Sequence, residues 1–188
     1  VVAEAKALVD KGFKELILTG INTALYGTEE GFAEKYPQCA DKPGIESVIS
    51  LISEIEGDFR IRLSSLEPTV INVDYVKGLF KYDKLCHHLH LALQSGSTRV
   101  IEMMNRHYTR EEYLEIVGAL KEFDPNYGIS TDIIAGFPGE TEEDFRESIS
   151  MIYEAEFCKV HAFNYSKRPG TVAADMKGHL PPDVKSRI

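Results

Sequence analysis

Asp132 stands inside an apolar run, Ser130-Thr131-Asp132-Ile133-Ile134. A carboxylate in such a strand must find hydrogen-bond donors or shift its pKa. Backbone N–H groups would make it a structural residue; a ligand hydroxyl serves equally well. The turn Gly136-Phe137-Pro138-Gly139-Glu140-Thr141 follows at once. Two glycines and a proline ahead of a capping threonine suit the end of a strand, where a βα loop turns tightly. Gln94-Ser95-Gly96-Ser97 is a second turn of this kind. Its small residues would leave N–H groups and hydroxyls open to a ligand's hydroxyls or carboxylate. A polar turn with a helix cap accounts for the same residues without a ligand.

Other side chains come in patterned pairs. His88, His90, Ala92 and Gln94 share one face of a strand by period two. If that face lines a barrel, imidazoles and an amide point inward; the alternative is hydrogen-bonded core histidines, and His88 is read that way. Arg60 and Arg62 share a face, with Ser65 and Glu67 on the other. Asn105-Arg106-His107 ends a short helix, where a cation suits the dipole and an arginine can clamp a carboxylate. Cys39, Cys86 and Cys158 are far apart, without metal-type spacing, and read as free thiols of a reducing compartment.

The elements that must hold these residues alternate. Val1 to Asp10 reads as a helix capped at Gly12, and Leu16 to Leu18 as a buried strand. Ile45, Val48, Ile49, Ile52 and Ile55 form an apolar helical stripe; Phe59 to Leu66 is strand-like; Val73, Val76, Leu79 and Phe80 mark a helix. His88 to Leu93 is a strand. Thr109 with Glu112 forms a capping box before Tyr113, Ile116, Val117 and Leu120. Ile129 to Ile134 is a strand, and Thr141 caps a helix with an acidic first turn. Val160 to Phe163 closes the series. This is an α/β chain with about five parallel strands and helical crossovers, as a doubly wound sheet or a (β/α) barrel. Asn22, Glu67, Gln94 and Gly136 fall at strand C-terminal ends, where both architectures place ligands. Gly20 to Pro43 is a long loop, and Arg168 to Ile188, with three prolines, reads as a linker.

Bulk properties narrow the classes. The 188 residues suffice for one domain with a core, and 43% apolar with 27% charged residues is ordinary for a globular protein. No apolar run reaches the length of a membrane span, so no membrane partner is expected. A net charge of −9 disfavours polyphosphate, so RNA would need a local basic patch or another domain. The first residue, Val1, lies within an amphipathic pattern, as expected of a fragment. A sugar-phosphate lyase or isomerase on a full barrel would want a Lys or Glu at a strand end, a late Gly-rich phosphate loop and more alternations; no strand ends in an obvious catalytic Lys. A non-catalytic barrel that serves as a binding module stays open.

Five segments together resemble the radical-SAM methylthiotransferases. They are Leu18 to Gly27, Leu91 to Ser97, Met104 to Thr109, Thr131 to Thr141 and Phe163 to Thr171, in that order and spread over most of the chain. Arg60-Ile61-Arg62-Leu63-Ser64-Ser65-Leu66-Glu67-Pro68 is most similar to the branch that modifies threonylcarbamoyladenosine next to the anticodon, and argues against another radical-SAM class such as a coproporphyrinogen oxidase relative. Ala92 departs from the family, which usually has proline there. The resemblance implies a partial, TIM-like (β/α) barrel over residues 1–167, without its first strand and cluster loop, and a linker over 168–188 toward an RNA-binding domain. It implies a cytoplasmic transferase that places a methylthio group on adenine C2 in tRNA, using S-adenosylmethionine, an electron-donor protein and two 4Fe-4S clusters. The cluster cysteines would lie outside this chain, so no cluster is expected in it and the fragment alone would be inactive. By the same resemblance Gln94 and Asp132 bind the ribose of S-adenosylmethionine, Ser95 and Gly96 belong to the same binding turn, and Arg106 pairs with the methionine carboxylate. Ile134 and Gly136 border the adenine, and Ser65 or Glu67 receives the amino group.

Overall fold

In the computed structural model, which describes residues 1–21, 23–42, 44–181 and 184, helices and strands alternate. The order is α1 (Val2–Asp10), β1 (Glu15–Leu18), α2 (Phe32–Lys35), α3 (Glu46–Ser53), β2 (Arg60–Leu63), β3 (Ser65–Leu66), α4 (Val73–Leu79) and β4 (His88–Leu91). Then come α5 (Thr98–Met103), α6 (Arg110–Phe123), β5 (Gly128–Ala135), α7 (Glu142–Ala155), β6 (Lys159–Asn164) and α8 (Val172–Asp175). The expected α/β alternation is present, and β2 and β3 are the expected single strand interrupted at Ser64. The chain divides into two compact units, Val1–His90 with Gly118–Gly128, and Leu91–Val117 with Ile129–Ile188.

In the first unit β1 and β2 pair in parallel, from Glu15 opposite Arg60 to Leu18 opposite Leu63. Side chains alternate across a strand, so Leu16, Ile61 and Leu63 are buried while Glu15, Arg60 and Arg62 share the other face. The core is completed by Val48, Ile49 and Ile52 of α3 and by Val76 and Leu79 of α4. α4 starts where the Asn72 side chain accepts the Tyr75 N–H at 2.9 Å. The long segment after β1 is not featureless. It holds α2, the one-turn helices Thr23–Leu25 and Pro37–Cys39, and the touching rings of Tyr26, Phe32 and Tyr36. Asn22, expected at a strand end, lies outside the described residues.

In the second unit β5 and β6 pair in parallel, from Ser130 opposite Lys159 to Ala135 opposite Asn164. Ile129, Thr131, Ile133 and Ala135 are buried, while Asp132 and Ile134 share the half-open face. Thr131 donates to the Leu91 carbonyl at 2.6 Å and accepts the Leu93 N–H at 2.9 Å. Both helix starts expected from sequence are built as read. Thr109 and Glu112 bond each other's backbone N–H groups at 2.8 and 3.1 Å, and Thr141 does the same with Asp144 at 2.8 and 3.3 Å. The segment from Arg168, read as a linker, instead packs on this unit as far as it is described without a break. α8 buries Ala174 to 3% exposure, and Met176 and Leu180 are half-buried. Residues 182–183 and 185–188 lie outside the described residues.

Candidate functional site

Gln94 follows β4 with φ of 64°, the left-handed region that side chains rarely adopt. Holding a non-glycine residue there costs on the order of 1 kcal/mol and persists only where neighbours enforce it. Here β5 enforces it. Gln94 N–H donates to the Asp132 carbonyl at 2.8 Å, and its own carbonyl accepts the Ile134 N–H at 2.8 Å. Gln94, Asp132 and Ile134 therefore meet at one point. Asp132 and Ile134 face the half-open side together with His161 and Phe163, which stand opposite them on β6. Phe163 is 54% exposed.

Ser95 and Gly96 do something the sequence did not suggest. Their hydroxyl and N–H groups are not left open to a ligand, because they are spent on α7. The Gly96 N–H donates to the Ser148 hydroxyl at 2.8 Å, the Ser95 hydroxyl lies 3.3 Å from it, and Ser97 N–H donates to Ser95 Oγ at 3.2 Å. Gly96 is glycine because α7 is in the way: a Cβ there would sit 2.5 Å from Ser148 Cα and 2.6 Å from the Glu147 carbonyl oxygen. Ser97 donates to Asp144 at 2.7 Å. Asp144 also accepts from Thr141 and from the Arg99 guanidinium, whose proximity holds its carboxyl well below the usual carboxylate range. From sequence Asp144 reads only as part of the acidic first turn of a helix, and Ser148 does not stand out. The available signal was a polar stripe, Thr141, Asp144 and Ser148, at helical spacing on a face that otherwise turns inward.

Gly136 ends β5 with φ of 76°. Its N–H and that of Phe137 both donate to the Glu140 carboxylate. Burial pushes the Glu140 carboxyl up, against the downward pull of those two donors. The turn after β5 thus closes on its own side chain, and sequence reading missed Glu140 in this role. Arg106 follows Asn105, left-handed at φ 57°, and is half-buried with its backbone N–H on the Ile101 carbonyl.

Ser65 and Glu67 belong to the first unit; Ser65 is exposed, and Glu67 accepts from Thr69 at 3.4 Å. On the same unit Glu15 takes both arginines, with Arg62 at 3.1 and 3.2 Å, and lies below its ordinary pKa because of Arg62 first. His88 and His90 occupy the half-open face of β4 opposite buried Leu89 and Leu91; burial, then Arg62 and His90, lower the His88 pKa. Cys39, Cys86 and Cys158 are free and lie on separate segments. Among the described residues no group of three or more His, Cys, Asp or Glu side chains could hold a metal ion, so an iron–sulfur cluster does not fit them. Among the same residues no helix is long and apolar enough to cross a membrane.

The Radical SAM superfamily profile matches residues 1–152. The chain is 42% identical over 182 residues to tRNA-2-methylthio-N(6)-dimethylallyladenosine synthase of Clostridium tetani, covering 97% of this chain and 38% of that protein. It is 37% identical over 182 residues to threonylcarbamoyladenosine tRNA methylthiotransferase MtaB of Thermotoga maritima, covering 97% and 39%. It thus spans about two-fifths of the length of these relatives. Among solved structures, coproporphyrinogen III oxidase of Escherichia coli, a radical SAM enzyme, superposes with a TM-score of 0.65 at 18% identity, over 98% of this chain and 42% of that one. Likeness at that identity shows the fold: α/β, with parallel strands, of the radical-SAM type.

Proposed function

Since the chain belongs to the radical SAM superfamily, we propose that it is the adenosyl-binding part of a cytoplasmic tRNA methylthiotransferase acting at adenine C2 of threonylcarbamoyladenosine. The observation that carries the reading is the junction of Gln94 with Asp132 and Ile134 at the end of β5. It joins, through their backbones, an amide-bearing residue to a carboxylate-bearing one, and an amide and a carboxylate are the groups that suit a ribose diol. S-adenosylmethionine fits this donor set; when bound it supplies the radical chemistry and the methyl group.

The chain's own share is binding and orientation. Asp132 and the Gln94 side chain take the ribose hydroxyls, Arg106 the methionine carboxylate, and the backbone at Ile134 and Gly136 flanks the adenine. Ser95 and Gly96 act one step back, by anchoring the turn that carries Gln94 to α7. Two 4Fe-4S clusters, the tRNA contacts and the docking of an electron donor are assigned to the rest of the full-length protein.

The segment Arg60 to Pro68 supports threonylcarbamoyladenosine as the substrate. The relative from Clostridium tetani, at 42% identity, favours dimethylallyladenosine as a second reading. Mass spectrometry of tRNA nucleosides from cells lacking the full-length gene separates them, because only one of the two methylthio nucleosides should disappear. Loss of neither would sink both readings.

The site itself is tested by calorimetric titration of S-adenosylmethionine into the full-length protein. Asp132→Ala and Arg106→Ala should each weaken binding by about 1.5–3 kcal/mol, the range for a lost charge-assisted hydrogen bond, or roughly ten- to 150-fold. Unchanged affinity in both variants, with normal folding, would show that these residues do not hold the ligand.

A further inference from the structure

The turn Gly136–Glu140 is held from outside as well as by its own glutamate. The Gly139 carbonyl accepts from Arg99 at 2.9 Å. The Gly139 N–H donates to the carbonyl of Gly178, thirty-nine positions along the chain, at 3.1 Å. The two backbones touch: a Cβ on Gly178 would lie 2.9 Å from Gly139 N and 3.1 Å from Gly139 Cα, and the φ of Gly178 is 86°. Only glycine fits there. A second contact backs up the first. The Tyr165 ring stands edge-on to Phe137 at 5.4 Å, and His179 lies behind it with ring centroids 5.8 Å apart. The His179 Nε2 is 3.1 Å from the Ala174 carbonyl, which folds the segment back on α8, and Ala174 is buried.

We propose that Thr171 to Leu180 is a strap whose seating on Gly139 and Tyr165 positions the turn after β5, and so sets how strongly the adenosyl ligand binds. The inference rests on the reading of the β5 end as the adenosyl site. The physical reason is short range. The turn starts one residue after the strand bearing Asp132 and Ile134, so releasing Gly139 displaces the backbone that would flank the adenine. A backbone N–H without its partner in a half-buried turn also favours local opening. Gly178 and His179 are positioning residues, acting on the ligand through Gly139, Phe137 and Tyr165.

The test uses the full-length protein and S-adenosylmethionine as the titrant, with amide hydrogen exchange read over residues 134–142. Gly178→Ala should weaken binding about three- to tenfold and speed exchange in that stretch by a similar factor, with exchange in the other strands unchanged. If Gly178→Ala does not fold, His179→Ala carries the test. It should move both readouts in the same direction by less, and His179→Gln, which keeps a donor for the Ala174 carbonyl, should restore part of the loss. Asp132→Ala is run beside them. Weakened binding in Asp132→Ala with unchanged binding and exchange in the strap variants overturns the strap alone. Unchanged binding in Asp132→Ala overturns the site reading and the strap with it.

Discussion

Glu15 in the first unit and Asp144 in the second each gather arginine and hydrogen-bond partners, but in opposite surroundings. Glu15 bridges Arg60 and Arg62 across β1 and β2, with its side chain 28% exposed and that of Arg60 62% exposed. Asp144 is 7% exposed and takes Arg99, Ser97 and Thr141 together. Water competes for the first cluster and salt screens it. The second is withdrawn from water, so its carboxylate depends on every one of its partners. What differs between them is burial, so the turn carrying Gln94 depends on its buried cluster while the strand pair β1–β2 can lose its ion pairs cheaply.

The strongest way to break this comparison is at the seat of the turn that carries Gln94. Gly96→Ala drives a Cβ into the α7 backbone. It should cost about 3 kcal/mol or more, at the upper end for overpacking, and lower the melting temperature by roughly 6–12 °C. A shift of a degree or less in thermal denaturation would mean that α7 is not seated on the turn. Next comes Asp144→Ala, which removes a helix cap and leaves Ser97 and Arg99 without their acceptor. About 2–3 kcal/mol should be lost, counting the cap and the buried hydrogen bonds and discounting the half-exposed Arg99.

Titration sharpens the same point. Asp144 has a lowered folded-state pKa, so its contribution is complete above the ordinary carboxylate value and is lost as pH falls through that value toward the lower one. The stability difference between the wild type and Asp144→Asn should be full at neutral pH and shrink progressively in acid. A difference that stays constant down the acid limb of a denaturation series would contradict it. The smallest effect belongs to the exposed cluster. Glu15→Gln should cost ~0.5–1 kcal/mol, and denaturant melts in raised salt should erase most of it. A loss as large as that of Asp144→Ala would remove the contrast.

Much of this arrangement was legible in the chain. A short apolar run at Leu16 to Leu18, β-like residues from Phe59 to Leu66 and alternation from His88 to Leu93 located strands, and the structure buries Leu16, Ile61, Leu63, Leu89 and Leu91 because pleated backbones send alternate side chains to opposite faces. Thr109 with Glu112 and the threonine at 141 marked helix starts, because unpaired N–H groups must be capped by residues three positions away. Asp132 stood out as a carboxylate in an apolar strand and Gln94 as a polar residue at a strand end. These are local facts, fixed within a few residues of one another.

Tertiary structure decided the rest, because it concerned pairs distant in sequence. Nothing near Gly96 says that its missing Cβ makes room for Ser148, fifty-two positions on, or that the Ser95 hydroxyl turns to a helix and not to a ligand. Nothing near Pro169 says that the following segment folds back to reach Gly139; its prolines and polar residues read as a linker, and only the burial of Ala174 and the fit of Gly178 against Gly139 reverse that. Local pattern determines which residues can form a strand, a cap or a turn. Close packing and the satisfaction of buried polar groups determine which of those residues meet, and both depend on the whole fold.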